Sequence, residues 1–280
     1  MSLPKNIVKL LLKHGMKSPE VSVVMCVFNG ENTVESAIKS ILDQTFNDFE
    51  FIILDDGSSD STFLILKKYQ DIDSRIKLYS QKNTGLTKAL NNAIGFASGK
   101  YIARQDADDI SFPNRIEQQV KYLKGNPSTF LVGSNFIEEI NGVRYAGKYI
   151  SDKEIMKKVF LHNPFPHTSA MFLRSVFNEL GGYDESFDTS QDFELWIRFA
   201  KFGQIAMLSD PLVERVLSSN NITKKRPIRQ YINGLRARLI HPYHGYTAAF
   251  IATLYQIIVA IIPLSFVKIK RLIYNRYPLK

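Results

Sequence analysis

Between Val21 and Gln105 the chain alternates short, nearly unbroken apolar runs with longer stretches whose apolar residues recur every three or four positions. Val21–Phe28, Phe49–Leu54, Ile76–Tyr79 and Tyr101–Gln105 are of the first kind, the pattern of strands buried on both faces. Thr33–Gln44, with Val34, Ala37, Ile38, Ile41 and Leu42, is of the second kind and predicts an amphipathic helix. Asp60–Tyr69, with Ser58 or Ser59 as its cap, and Leu86–Ala97, broken off by Gly99, predict two more. Strands and helices alternating through short links imply an α/β fold, a mostly parallel sheet flanked by helices on both faces.

Beyond Pro113 the alternation loosens. Arg115–Leu123 predicts a helix closed by Gly125-Asn126-Pro127. Phe130–Ile140 and Val143–Tyr149 flank Asn141-Gly142, a strong hairpin signal. Asp192–Phe202 predicts a helix with Leu195, Trp196 and Phe199 on one face. Trp196 on that face, and Cys26 within the first strand, read as core residues. Ala248–Val267 is twenty residues without a charge, as a helix ~30 Å long. Gln256, Pro263 and basic flanks on both sides favour a helix lying in the membrane interface. A full span, or a helix packed on the body or a partner, are the alternatives. The predicted organisation is an N-terminal amphipathic extension (1–19), a main domain (20–220) and a helical tail (221–280). Lys9 and Lys13 interrupt the apolar stretch at the start, which therefore carries no expected export signal.

Composition adds two constraints. With 280 residues, 45% of them hydrophobic, the chain can bury one substantial core. Its single cysteine rules out a disulfide framework and places the chain by default in a reducing compartment. Charge adds a third. The formal net charge is +9, yet residues 215–280 hold twelve Lys/Arg and no Asp/Glu, which leaves the first 214 residues at −3. A nucleic-acid enzyme would carry its positive charge around the active surface, so no nucleic-acid partner is expected. Basic residues beside an apolar run suit an anionic membrane surface, with Arg236, Arg238, Lys268, Lys270 and Arg271 facing headgroups.

In an open parallel sheet, ligands bind beyond the carboxyl ends of the strands. Three polar clusters fall at such ends: Asn29-Gly30, Asp55-Asp56-Gly57-Ser58 and Asp106-Ala107-Asp108-Asp109. Singly, each is ordinary turn chemistry. Together they gather carboxylates that repel one another unless a cation or ligand donors neutralise them. Oxygen-only donors point to Mg²⁺ or Mn²⁺ rather than zinc, and such a cation commonly holds a diphosphate. Neither Gly-x-Gly-x-x-Gly after the first strand nor a P-loop is present, so a nucleotide would bind through carboxylates and a metal.

Ordered blocks of the sequence carry a resemblance. Val21–Glu31 (VSVVMCVFNGE), Phe49–Thr62 (FEFIILDDGSSDST), Asn83–Ala97 (NTGLTKALNNAIGFA) and Gly99–Arg115 (GKYIARQDADDISFPNR) resemble successive blocks of the family 2 inverting glycosyltransferases. The likeness continues through Gly181-Gly182-Tyr183-Asp184 and Gln191-Asp192-Phe193-Glu194-Leu195-Trp196, covering about residues 20 to 220. The resemblance implies the GT-A fold and a nucleotide-sugar donor, and its Ala103-Arg104 variant is similar to enzymes of bacterial exopolysaccharide, capsule and O-antigen assembly. By the same resemblance Asp56 would bind the nucleotide base in a pocket lined by Val27, Asn29 and Glu31. Asp106 would contact the ribose, and Asp108 would bind the divalent metal, Mn²⁺ or Mg²⁺. Asp192 would be the general base, with Gly182 and Gln191 on the acceptor side. Lys88 or Arg104 would stabilise phosphate charge, or else pair with the acidic edge. His167, in Pro166-His167-Thr168-Ser169, would face the acceptor or donor, or be structural.

The implied acceptor is a lipid-linked glycan, reached at the cytoplasmic face of the membrane through the tail. The departures are equally specific. Gln191 stands where the family usually has Glu, and Glu214-Arg215-Val216-Leu217 lacks the histidine of the usual Tyr-Arg-x-His. They leave open a second expectation, a catalytically weakened sugar-nucleotide-binding subunit of an assembly complex. The Gln-x-x-Arg-Trp of processive synthases is absent, which favours single additions.

Overall fold

The computed structural model describes residues 18–140, 143–216 and 227–242, together with positions 251, 254, 277 and 278. The predicted alternation is there. β1 (Val21–Val27), α1 (Val34–Leu42), β2 (Phe49–Asp55), α2 (Thr62–Ile72), β3 (Ile76–Ser80), α3 (Leu86–Gly95) and β4 (Tyr101–Asp106) follow in order. The strands pair in parallel as β3-β2-β1-β4.

Period-two alternation along β1 splits the core into two layers. Val21, Val23, Met25 and Val27 pack with Val34, Ile38 and Ile41 of α1 and Leu66 of α2. Val24 and Cys26 face the other layer, with Ala89, Leu90 and Ala93 of α3. Every residue of β1 and β2 is buried, which explains their unbroken apolar runs.

Past β4 the sheet changes direction. β5 (Ile110–Ser111) and α4 (Arg115–Gly125) lead into β6 (Thr129–Ile140), which pairs antiparallel with β7 (Val143–Ala146) as the hairpin signal predicts. After α5 (Asp152–Lys158) a 3₁₀ turn at His167–Ser169 enters β8 (Met171–Leu173), which sits antiparallel between β4 and β6. The expectation of a mostly parallel sheet holds, with the antiparallel pairings of β6, β7 and β8 added beyond β4. α6 (Arg174–Glu179), α7 (Gln191–Phe202) and β9 (Gln204–Arg215) complete the main body. β9 lies parallel to β6 and antiparallel to β5. Trp196 and Phe199 are fully buried in the layer of α3, as a core assignment requires.

Beyond the main domain expected to end at 220, a further helix packs on the body. α8 (Pro227–Ile240) lies against α7, with Ala237 fully buried. Arg238, expected at lipid headgroups, is 3% exposed and stacks 4.8 Å from the centroid of the Phe193 ring. Arg236 lies 4.4 Å from the centroid of Phe187 and donates to the Ser186 carbonyl at 3.1 Å. Arg238 is thus turned inward and does not point at a bilayer, whereas Arg236 remains exposed at the surface. The apolar residues Ile228, Ile232, Leu239 and Ile240 are the exposed ones. The segment Ala248–Val267, Lys268, Lys270 and Arg271 lies outside the described residues, apart from positions 251 and 254. Among the described residues no helix is long and apolar enough to cross a membrane. A two-residue strand, β10 (Tyr277–Pro278), pairs antiparallel with β7.

Candidate active site

The first two strand-end loops are laced together. Asn29 takes a left-handed φ of 52°, and its Oδ1 accepts from the Ser59 amide at 2.8 Å while its own amide donates to Ser58 Oγ at 3.0 Å. Glu31 accepts from the Ser61 amide at 3.0 Å. Val27 ends β1 and receives the Asp56 amide on its carbonyl at 2.8 Å. Phe28 beside them is 52% exposed, a flat apolar face at the mouth of the loops that sequence reasoning passed over as the end of a strand.

Asp56 is buried at 3% exposure, and its oxygens accept from the Thr84 and Gly85 amides at 3.0 Å each and from Gln81 Nε2 at 2.7 Å. It holds the loop that starts α3. Gly57, at φ +78°, is why the turn can sit so close: a Cβ there would lie 2.8 Å from the Asn83 nitrogen. Asp55, by contrast, closes its own turn by accepting from the Ser58 amide at 3.3 Å. Lys88 on α3 is exposed and lies 3.9 Å from Glu185, away from the acidic edge.

The third cluster is the electrostatic centre. Arg104 is fully buried beneath it: Nη1 donates to the carbonyls of Val24 and Gln105 at 2.7 Å each, and Nη2 pairs with Asp106. Asp108 is pushed up to about 6 by burial and by the Asp106 charge. Asp109 is raised well above its ordinary value by burial and by both neighbours, and it accepts from the Val216 amide at 3.1 Å. Burial and mutual repulsion raise Asp108 and Asp109 despite the opposing pull of Arg215. Among the described residues no three His, Cys, Asp or Glu side chains form a metal cage. The edge instead fits a hard cation held by one or two carboxylates, with water and donor phosphate supplying the rest.

His167 lies beneath the same edge. Its Nε2 is 3.3 Å from Arg104 Nε and 2.7 Å from the Tyr183 hydroxyl. Two donors on one nitrogen require it to be unprotonated, which puts the ring proton on Nδ1. Burial and Arg104 push its pKa down to about 4, against smaller opposite pulls from Asp106 and Asp192. The imidazole is thus a neutral acceptor for Arg104 and Tyr183. Tyr183, which sequence reasoning had only as part of a block, is set by the preceding Gly181-Gly182 turn. Gly182 has φ +77°, and the Asn91 side chain clasps Tyr183 by both its amide and its carbonyl, each at 2.9 Å.

Asp192 is the second residue of α7, after Ser190 in a left-handed φ of 58° and the buried Gln191. Its Oδ1 accepts from the Phe193 amide at 2.8 Å and its Oδ2 from Asn163 Nδ2 at 2.6 Å. Glu194, one turn into the helix, is held by Arg198 and by His241. Arg215 of the altered block pairs with the buried Glu138 at 2.6 Å; Leu217 lies outside the described residues.

Comparison with known proteins fixes the family. The family model for Glycosyl transferase family 2 matches residues 22–181, more than half of the chain. The chain belongs to that family. As a family 2 protein it is a transferase of sugar residues. It is 40% identical over 193 residues to the putative glycosyltransferase EpsE of Bacillus subtilis, covering 66% of this chain and 68% of that one. It is 31% identical over 191 residues to WfgD of Escherichia coli, named a UDP-Glc:α-D-GlcNAc-diphosphoundecaprenol β-1,3-glucosyltransferase, with 68% and 73% covered. A mannosyltransferase of Pyrobaculum calidifontis, solved with GDP-Man and Mn²⁺, shares the fold at a TM-score of 0.63 and 18% identity over 86% of this chain and 70% of that one.

Proposed function

We propose that this family 2 glycosyltransferase moves a sugar, with inversion, from a UDP-linked donor to a hydroxyl of a lipid-linked glycan in surface polysaccharide biosynthesis. The observation that carries the reading is the network beneath the donor edge: Asp106 pairs with Arg104, whose Nε lies 3.3 Å from His167 Nε2, itself 2.7 Å from the Tyr183 hydroxyl. A donor edge held by such a fixed network supports the positioning that an in-line displacement needs. The activity for which WfgD is named supports a UDP donor and a diphosphate-lipid acceptor.

In this reading the loops of Val27, Asn29, Glu31 and Asp56 receive the base, with Phe28 offering it an apolar face. Asp106 takes the ribose. Asp108, with Asp106, would hold Mn²⁺ or Mg²⁺, which supplies charge neutralisation for the departing diphosphate. Arg104 acts through Asp106, which it reaches from below, and Lys88 remains outside near Glu185. Gln191 and Gly182 flank the acceptor side. Asp192 accepts the proton of the acceptor hydroxyl as that oxygen bonds to the anomeric carbon and the diphosphate leaves with the electron pair of the broken bond. The carboxylate then returns the proton to water.

The exposed aliphatic residues of α8, followed by the apolar run of the tail, support membrane association at the cytoplasmic face. The test is a thermal-shift series with UDP, GDP, dTDP and CDP, with and without Mn²⁺. UDP should raise the melting temperature when Mn²⁺ is present, and Asp108→Ala should remove the metal-dependent part. A well-folded sample that none of the four nucleotides shifts would overturn the donor site.

A further inference from the structure

Asp192 reaches its partner across a wide gap in sequence. The residue that meets it, Asn163, lies between α5 and the His167 turn, in a segment fixed by the buried Phe160 and Phe165. Phe165 packs over Gly133, where a Cβ would come within 2.2 Å of the ring, and stands 5.9 Å from Trp196. The Asn163 amide donates to Asp192 Oδ2 at 2.6 Å while the Phe193 amide occupies Oδ1 at 2.8 Å. Each oxygen keeps a further lone pair for an incoming hydroxyl.

Arg238 of α8 bridges the two sides of this contact. Its Nε donates to the Leu161 carbonyl at 3.1 Å, two residues before Asn163. Its guanidinium plane covers Phe193, the residue after Asp192. The rest of α8 grips the approach to Asp192: Ser190 Oγ donates to the Gln230 carbonyl at 3.1 Å, and Asn233 donates to Thr189 Oγ1 at 2.8 Å. None of these α8 residues falls within the 22–181 span of the family match.

We propose that Asn163 is the positioning residue of Asp192, and that Arg238 holds the two in register from the C-terminal helix. The proposal rests on Asp192 as the base. An asparagine amide can give a hydrogen bond to a carboxylate but cannot take the acceptor's proton, so Asn163 acts through Asp192. Its donor fixes which edge of the carboxylate remains open, and Arg238 keeps the donor from drifting.

A double-mutant cycle tests this in the full-length chain. The readout is nucleotide release from UDP-glucose, UDP-N-acetylglucosamine or GDP-mannose, whichever the wild type turns over fastest with a membrane extract as acceptor source. Asn163→Ala should lower kcat about 10- to 100-fold, as misplacing a reacting group does, with the donor KM and the UDP-induced thermal shift unchanged. Asn163→Asp, isosteric but without the donor, should be no better, whereas Asn163→Gln should recover part of the loss. In an Asp192→Asn background Asn163→Ala should cost nothing further. Equal losses in both backgrounds, or wild-type kcat in Asn163→Ala, overturn the positioning role. Wild-type turnover in Asp192→Asn overturns the base itself, a separate result read from that variant alone. Arg238→Ala should mimic Asn163→Ala in kcat, while His241→Gln, which loosens α8 on Glu194 without touching the Leu161 carbonyl, should spare kcat; the reverse order overturns the role of Arg238.

Discussion

His167 sets how acid the medium can become before the floor of the site loosens. Its ordinary pKa of 6.5 falls to about 4 in the folded chain because burial and Arg104 disfavour the charged ring. Between those two values the unfolded chain binds the proton and the folded chain does not, so stability falls as pH drops from about 6.5 toward 4. His162, pushed down to about 4 by burial and neighbouring cations, adds in the same direction. His167→Gln keeps a neutral acceptor and removes the titration. Its melting temperature should decline less steeply than that of the wild type from about pH 7 to 4. An unchanged slope would remove His167 from the acid response. At this scale the sequence named residues but not partners. Asp56 stands out as half of an Asp-Asp pair, yet nothing local says that its oxygens go to Thr84 and Gly85. Asn163 carries no signal at all, because an asparagine before a proline reads as turn chemistry.

Among the elements, the link from α3 to α7 runs through one turn. Arg198 of α7 donates to the carbonyls of Leu180 and Gly182 at 2.7 and 2.8 Å, and Asn91 of α3 clasps Tyr183. Gly182→Ala would force a side chain into a positive φ and place its Cβ 2.9 Å from Asn91 Oδ1. The expected cost is about 1–3 kcal/mol, measured by urea melts, with a wild-type midpoint counting against it. The parallel half of the sheet was legible because strands buried on both faces and amphipathic helices leave different periods. β9 was not, since Pro211 interrupts its pattern at the position where its pairing with β6 shifts register. α8 was hidden for a different reason. It buries Asn233 and Arg238 beside Ala237 and leaves Ile228, Ile232, Leu239 and Ile240 exposed, so the usual rule for finding the buried face fails.

For the molecule as a whole, the division of charge outlasts the correction to its cause. The body carries the acidic excess, and all net basicity lies beyond Val213. With Arg238 turned inward, membrane affinity in the described part falls to the exposed Ile228, Ile232, Leu239 and Ile240, beside the exposed Arg229 and Arg236. The full chain should sediment with phosphatidylglycerol vesicles and much less with phosphatidylcholine vesicles. About 0.5 M salt should weaken the binding, by screening the tail's Lys and Arg residues. Substituting Ile232→Glu and Leu239→Glu together should weaken it at any salt. Failure to sediment with either vesicle would retire membrane association.

One buried thiol has a practical consequence. Cys26 is the chain's single cysteine, 7% exposed in the middle of the parallel core, and burial pushes its thiol up to about 12. Such a thiol is nearly silent toward maleimides and iodoacetamides under native conditions. The wild-type sequence is therefore already a blank background for site-specific labelling. Ile232→Cys would carry a fluorophore on an exposed position of α8, and its emission would register burial in lipid without any further engineering of the chain.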